Sequence, residues 1–99
     1  MQHFEGAPDL HYPPARSTGT RVMSIWCAAG KAIQLHKVHG AVDYEVKDDE
    51  GNIVVPRGRW QGDARQRGWH HITAYAQHGE EAYKVRADYW ATRSIRKGE

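Results

Sequence analysis

The clearest hydrophobic pattern in the chain lies in residues 42–47, where apolar and charged side chains alternate strictly. A period of two places successive side chains on opposite faces and predicts a β-strand with one buried face. Residues 48–52 (DDEGN) are turn formers, and their glycine and asparagine tolerate a positive φ. The β-branched run 53–55 resumes a strand until Pro56 removes a backbone donor. The pattern therefore predicts a β-hairpin.

Two other stretches also have the period of a strand. Residues 21–26 carry apolar side chains on both faces, which predicts a central and largely covered strand. In residues 69–77, Ile72, Ala74 and Ala76 alternate with Thr73 and Tyr75, which predicts a half-buried strand.

Two stretches fit both a helix and a strand. In residues 28–38, Ala28, Ala32 and Leu35 have helical spacing, but Gly30 would cost such a helix about 1 kcal/mol, so a strand is favoured. Residues 82–93 alternate apolar and polar side chains throughout, although Val85 and nearby residues also fit one helix face. We predict strands for both stretches.

The first 20 residues lack any hydrophobic period. Pro8, Pro13 and Pro14 interrupt them, which predicts a flexible N-terminal arm rather than a strand or a helix. Residues 21–99 are then expected to form a single small β domain.

Taken together, these elements predict an all-β fold, with α+β as the alternative if the two ambiguous stretches are helical. About six strands joined by sequential turns would form an antiparallel meander, because consecutive strands usually neighbour one another. A meander of this size is expected to curl or to close into a small barrel, since its edges must be protected.

Composition narrows the class of protein. A chain of 99 residues forms one domain with one modest core. The net charge of +2 permits an anionic partner without requiring one. The single cysteine, Cys27, excludes an internal disulfide, and no apolar stretch approaches the roughly 20 residues that a membrane helix needs. We expect a soluble, cytoplasmic protein that does not associate with membranes.

The strongest chemical signal is an Arg/Trp tract, residues 57–69, that follows the hairpin. The guanidinium group of arginine matches phosphate, and the indole of tryptophan stacks on unpaired bases. Residues on alternate positions of the last element could extend this surface. The alternative is that Trp60 and Trp69 pack into the core and the arginines are only solvated. The candidate contacts to nucleic acid or another partner are Arg57, Arg59, Trp60, Arg65, Arg67, Trp69, Lys84, Arg86 and Trp90.

The histidines do not form a metal-binding motif. His36 and His39 are an odd number of residues apart, as are His70 and His71, so each pair points to opposite faces of a strand. A site built from His36, His70 and an acid is conceivable. With one cysteine and no paired ligand spacing, we predict no metal and no cofactor.

No catalytic motif is present either. Ser24, Cys27, Thr73 and Ser94 are possible nucleophiles, but none lies in a recognisable motif. The adjacent acids at positions 48 and 49 fall in the predicted turn, where solvated carboxylates are ordinary. We therefore predict no catalytic residues and no enzyme.

The sequence predicts a small non-enzymatic binding or regulatory module that contacts an anionic partner, with single-stranded or structured nucleic acid as the first hypothesis. The alternative is an adaptor or inhibitor that binds a partner protein by shape complementarity through the same residues. An exposed edge strand could also recruit a second copy of the chain. A small enzyme, metal-dependent or otherwise, is the third hypothesis.

Overall fold

A computed structural model describes residues 2–4 and 14–89 of the chain. Ten strands and no helix occur in that part of the chain. All strand pairs are antiparallel, and the predicted all-β antiparallel fold is confirmed. The strands are β1 (Gln2–Phe4), β2 (Ala15–Arg16), β3 (Thr20–Cys27), β4 (Ala32–His39), β5 (Val42–Asp48), β6 (Ile53–Val55), β7 (Gln61–Asp63), β8 (Gly68–Ala76), β9 (Glu80–Glu81) and β10 (Lys84–Tyr89).

The strands form two four-stranded sheets and a two-stranded ribbon of β2 and β9. The front sheet has the order β3-β8-β5-β6, and the back sheet has the order β1-β10-β4-β7. Buried side chains from both sheets, including Ile25 and Ile72 from the front and Leu35 and Val85 from the back, belong to one hydrophobic core. Removal of this apolar surface from water is the main force that stabilises the fold.

The strand order differs from the predicted meander. β5 and β6 do pair as a hairpin, but β3 pairs with β8, and β4 pairs with β10. The chain passes from one sheet to the other after β3, β4, β6 and β7, and the sheets are not closed into a barrel. Side-chain alternation defines which face of a strand is buried, but it does not define which strand lies beside it. The prediction of a sequential meander was wrong for this reason.

The β5–β6 hairpin is confirmed, and Asp48 organises its turn. The buried carboxylate of Asp48 accepts hydrogen bonds from the backbone N–H groups of Glu50 (3.0 Å) and Asn52 (2.9 Å) and from Asn52 Nδ2 (3.1 Å). Gly51 has a φ of 83°, in the left-handed region, and its N–H donates to the Asp48 carbonyl at 3.0 Å. The turn therefore depends on a carboxylate that accepts three hydrogen bonds.

Both ambiguous stretches contain strands. Residues 32–39 form β4, and residues 84–89 form β10, with an irregularity in the register between Lys84 and Val85. Residues 90–93, which the sequence also assigns to the last strand, lie outside the described residues.

The N-terminal stretch contributes two short strands. β1 pairs with β10 in the back sheet, and β2 pairs with β9, with Ala15 fully buried. The expectation that residues 1–20 contain no strand is therefore wrong at these two places. Residues 5–13 lie outside the described residues, and the division of the chain into an arm and a domain stays a prediction.

The core takes its aromatic side chains from tyrosine and not from tryptophan. Tyr44 and Tyr89 are fully buried, as is Cys27, whose thiol forms no disulfide. None of the three described tryptophans belongs to the core cluster. No helix long and apolar enough to cross a membrane occurs among the residues that the structure describes.

Candidate functional site

The outward side of the front sheet, here called the outer face, carries most of the polar and aromatic chemistry. Alternation along β8 buries His70, Ile72, Ala74 and Ala76 and turns the residues between them outward. The strand register then places residues of β3 on one side of this row and residues of β5 on the other. The outer face comprises Arg21, Ser24 and Trp26 from β3, Trp69, His71, Thr73 and Tyr75 from β8, and Asp43, Glu45 and Lys47 from β5.

Two tryptophans pair at one end of the outer face. Trp26 and Trp69 are Cα partners on β3 and β8, and their rings meet edge to face with centroids 5.1 Å apart. Both side chains are half-buried. Arg65 and Arg67, in the loop that leads into β8, are exposed, and neither makes an ion pair with any described residue. This end of the sheet therefore combines an aromatic platform with two solvated guanidinium groups.

A second platform lies where the chain passes from β6 to β7. The Trp60 side chain is 37% exposed, and its ring lies 5.9 Å from that of Tyr44. Its carbonyl accepts a hydrogen bond from the Leu35 N–H at 2.8 Å, which anchors the loop to the back sheet. Arg59 is exposed beside it. Burial raises the pKa of Tyr44, and its neighbour Tyr83 adds to the effect, so the ring beneath Trp60 stays a neutral phenol.

Arg57 occupies the same end of the molecule but is already engaged. Its guanidinium carbon lies 4.4 Å above the centre of the Tyr75 ring, and its Nε is 3.9 Å from Asp43 Oδ2. A cation over an aromatic ring is an attractive arrangement. Arg57 is therefore less available to an anionic ligand than Arg59.

The structure separates the two halves of the tract. Arg57 lies against Tyr75, near the end of β8. Trp69 lies near the start of β8, about 20 Å from Tyr75 at the usual rise of a strand. Between the halves, β7 pairs with β4 of the back sheet. Gly62 permits this path, because a Cβ there would lie 1.9 Å from the Val54 carbonyl oxygen. Residues 57–69 thus supply two platforms and not one continuous groove.

The candidates on the last strand do not extend the outer face. β10 belongs to the back sheet, where Lys84 pairs with His39 and Arg86 pairs with His36. Arg86 Nη2 lies 3.8 Å from Asp88 Oδ2. Trp90 lies outside the described residues. Contrary to the prediction from the sequence, Arg86 therefore does not extend the surface of the Arg/Trp tract across one sheet.

A chain of hydrogen bonds crosses the middle of the outer face. The Ser24 Oγ lies 2.7 Å from His71 Nδ1, and His71 Nε2 lies 2.6 Å from Asp49 Oδ1. Arg21 Nη1 is 3.3 Å from the same Nδ1. Ser24 and His71 are 47 residues apart, and His71 and Asp49 are 22 apart, so no local pattern could have indicated this arrangement.

The β5 side of the outer face is acidic. Tyr75 donates its hydroxyl to Glu45 Oε1 at 3.2 Å, and Lys47 Nζ lies 3.8 Å from the same oxygen. Desolvation and the adjacent Glu45 carboxylate raise the pKa of Tyr75. Together with Asp43 and Asp49, Glu45 makes this side unfavourable for an anion. An anionic ligand would approach from the β3 side or from the loop before β8.

His36 and His70, the histidines considered for a metal site, lie on different sheets. His36 is on the back sheet, where its Nε2 lies 2.9 Å from Asp88 Oδ2. His70 is fully buried between the sheets and donates its Nδ1–H to the Gly68 carbonyl at 2.9 Å. Burial lowers the pKa of His70 despite that hydrogen bond. The combination of His36, His70 and an acid is not assembled. In the parts of the chain described, no group of three or more metal-ligating side chains occurs.

Comparisons with known proteins do not narrow the choice of function. No protein-family model, curated protein or solved structure matches the chain. A fold by itself does not define a function, which has to be argued from a site. The outer face and the two tryptophan platforms are therefore the basis of the proposals below.

Proposed function

We propose that this protein binds unpaired nucleic acid through its two tryptophan platforms. In this proposal, bases stack on Trp26 and Trp69 at one end of the outer face and on Trp60 in the passage from β6 to β7. Arg65 and Arg67 contact phosphates at the first platform, and Arg59 does so at the second, with Arg57 in support. Lys84, Arg86 and Trp90 are not part of the proposed contact surface.

The observation that carries this proposal is the position of the tryptophans. A domain of this size gains most stability by burying its largest aromatic side chains. Here tyrosines fill the core, and the three described tryptophans remain outside it. Aromatic rings accessible on a sheet are stacking platforms for bases, and each stacked base contributes about 1–3 kcal/mol.

The charge distribution supports the same ligand. Arg59, Arg65 and Arg67 are exposed and form no ion pair within the described chain, so phosphate binding would not have to break an internal contact. Acids concentrate on β5, on the far side of the outer face from β3. This asymmetry would hold the part of a polyanion bound at Trp26 and Trp69 along the β3 edge and the loop before β8.

The test is a titration of tryptophan fluorescence with a mixed-sequence single-stranded oligonucleotide at low and at physiological salt. We expect saturable quenching that weakens with salt by about 0.7 log units per log unit of salt for each phosphate neutralised. The double substitution Arg65→Ala/Arg67→Ala should reduce that slope by about 1.4. Trp69→Ala should weaken binding about 5- to 150-fold, the equivalent of one stacked base.

The matched control is Arg16→Ala/Lys37→Ala, which removes the same charge from exposed positions outside the front sheet. This variant should leave the salt slope unchanged. If the control lowers the slope as much as Arg65→Ala/Arg67→Ala, the binding reflects net charge alone. An absence of quenching at low salt would contradict the proposal.

A partner protein is the second candidate, and one observation favours it. Ile53 and Trp60 are the large hydrophobic side chains that stay exposed among the described residues, at 49% and 37%. Ile53 lies on β6, which forms an edge of the front sheet in the part of the chain described. Aromatic and aliphatic anchors of this kind are common at protein interfaces. A complex, or a dimer of this chain, that resists high salt and is lost in Ile53→Ser and Trp60→Ala would favour this candidate.

A further inference from the structure

We propose that Ser24, His71 and Asp49 form an acyl-transfer site on the outer face, with Ser24 as nucleophile and His71 as general base. Asp49 is the residue that positions the imidazole. The proposal goes beyond nucleic-acid binding and does not depend on it, because none of these three residues is among the proposed nucleic-acid contacts. It also departs from the expectation, drawn from the sequence, that the protein has no catalytic residues.

The geometry is that of an activated nucleophile. The two short contacts, 2.7 Å from Ser24 Oγ to His71 Nδ1 and 2.6 Å from His71 Nε2 to Asp49 Oδ1, are both within hydrogen-bonding distance. A hydroxyl bonded to a base, with that base oriented by a third group, is the diagnostic arrangement for covalent catalysis. Such a constellation is identified by geometry and roles and not by position in the sequence.

Separate strands hold the three groups in place. Ser24 on β3 and His71 on β8 are Cα partners in the front sheet. Lys47 is the Cα partner of His71 on β5, and Asp49 lies two residues further along, in the turn that Asp48 organises. The imidazole is therefore held at both nitrogens by groups on either side of β8.

Asp49 defines the tautomer of His71. A carboxylate only accepts hydrogen bonds, so the ring proton is on His71 Nε2 and is donated to Asp49 Oδ1 at 2.6 Å. Nδ1 is then the acceptor, with Ser24 Oγ at 2.7 Å and Arg21 Nη1 at the longer distance of 3.3 Å. The Ser24 hydroxyl accordingly donates to Nδ1. The lone pair of the base thus points at the proton that a nucleophilic serine has to lose.

The reaction uses only an ester and water. Ser24 Oγ forms a bond to the acyl carbon while its proton passes to His71 Nδ1. The bond between the acyl carbon and the leaving oxygen then breaks, and the leaving alcohol takes that proton from His71. Water attacks the acyl group on Ser24, His71 accepts the proton of the water, and the proton returns to Oγ as the carboxylic acid leaves. The charge of Arg21 beside the ring favours the anionic oxygen of the tetrahedral intermediate.

The burial of Ser24 defines the substrate class. Ser24 is only 1% exposed, whereas the side chains of His71 and Asp49 are 22% and 57% exposed, so a substrate has to approach the nucleophile from the side of His71. A short acyl group suits so buried a hydroxyl. The next pair on the same face, Trp26 and Trp69, offers an aromatic wall beside the site. The expected substrates are short-chain carboxylic esters of aromatic alcohols.

The test combines hydrolysis of p-nitrophenyl acetate with labelling by diisopropyl fluorophosphate. We expect release of p-nitrophenolate and a phosphoryl adduct that peptide mass spectrometry assigns to Ser24. Ser24→Ala should lose the adduct, and both Ser24→Ala and His71→Ala should lower kcat by about 100-fold or more. The control is Ser17→Ala, which changes an exposed serine in the β2–β3 turn and should change neither readout.

The positioning role of Asp49 requires a separate readout. Asp49→Ala should lower kcat with little change in KM, and Asp49→Glu, which retains a carboxylate in the exposed turn, should restore part of the loss. An adduct at another residue, no adduct, or a Ser24→Ala protein as active as the wild type would overturn the proposal. If circular dichroism shows that Ser24→Ala does not fold, the location of the adduct on the wild-type protein decides the question.

Discussion

The inner and outer faces of the front sheet are made by neighbouring residues of the same strands, yet their chemistry differs sharply. His70 and His71 show the contrast within one dipeptide. His70 is fully buried, and its Nε2 has no hydrogen-bond partner in the structure described. His71 faces outward, and both of its ring nitrogens are engaged by other side chains. Burial on one face stabilises the fold, whereas the opposite face holds the groups available for binding or chemistry.

The largest expected difference between the faces is at Ile72 and Thr73. Ile72 is fully buried, so Ile72→Ala should destabilise the protein by about 2–5 kcal/mol, from lost burial and the cavity left behind. Thr73 lies on the outer face, and Thr73→Ala should change the free energy of unfolding by about 0.5 kcal/mol or less. Urea unfolding followed by circular dichroism measures both. Equal effects would mean that the outer face is covered in solution.

The adjacent acids Asp48 and Asp49 provide the next test. Asp48→Ala leaves three hydrogen-bond donors of the turn without their acceptor and should cost about 1–3 kcal/mol. Asp49→Ala removes an exposed carboxylate and should cost about 0.5 kcal/mol or less. Urea unfolding at neutral pH distinguishes the two. A loss from Asp49→Ala as large as that from Asp48→Ala would show that the His71 contact stabilises the fold.

Acidification should reduce the difference in stability between the wild type and Asp48→Ala. Burial acts to raise the pKa of Asp48, but hydrogen bonds from Asn52 and Glu50 outweigh it, and the pKa is lowered from 3.8. A carboxyl group with a depressed pKa in the folded state contributes stability that is complete above pH 3.8 and is lost as the pH falls through the folded value. The difference between wild type and Asp48→Ala should therefore shrink as the pH falls below 3.8.

The smallest effect is expected at His70. Burial lowers the pKa of His70 below 6.5, so the unfolded chain binds a proton first as the pH falls. The associated stability is complete above pH 6.5 and is lost as the pH falls through the folded value. His70→Gln should reduce this dependence of the free energy of unfolding on pH. An unchanged dependence in His70→Gln would show that protonation of His70 is not linked to folding.

The two platforms of the Arg/Trp tract show that residues adjacent in sequence need not form one binding surface. Residues 57–69 are continuous in sequence, and their interspersed arginines and tryptophans predict a single groove. β7 instead pairs with the back sheet, so Arg57 and Trp69 lie at opposite ends of the front sheet. Trp26, which is 43 residues from Trp69 in the chain, becomes its edge-to-face partner.

The sequence by itself determined the β5–β6 turn, the buried face of most of the longer strands, and the strands β3, β4, β5, β6, β8 and β10. These features depend on side-chain alternation, on β-branched residues and on turn formers, all of which act within a few residues. Alternation in residues 42–48 and 69–76 matches the observed burial closely.

Only the tertiary structure decided which strands pair, how the tract divides and which side chains meet on the outer face. The partner of a strand depends on packing between faces that are often distant in sequence, and a local period carries no information about it. Ser24, Asp49 and His71 come from three separate elements, and they form one hydrogen-bonded chain only because β8 lies between β3 and β5.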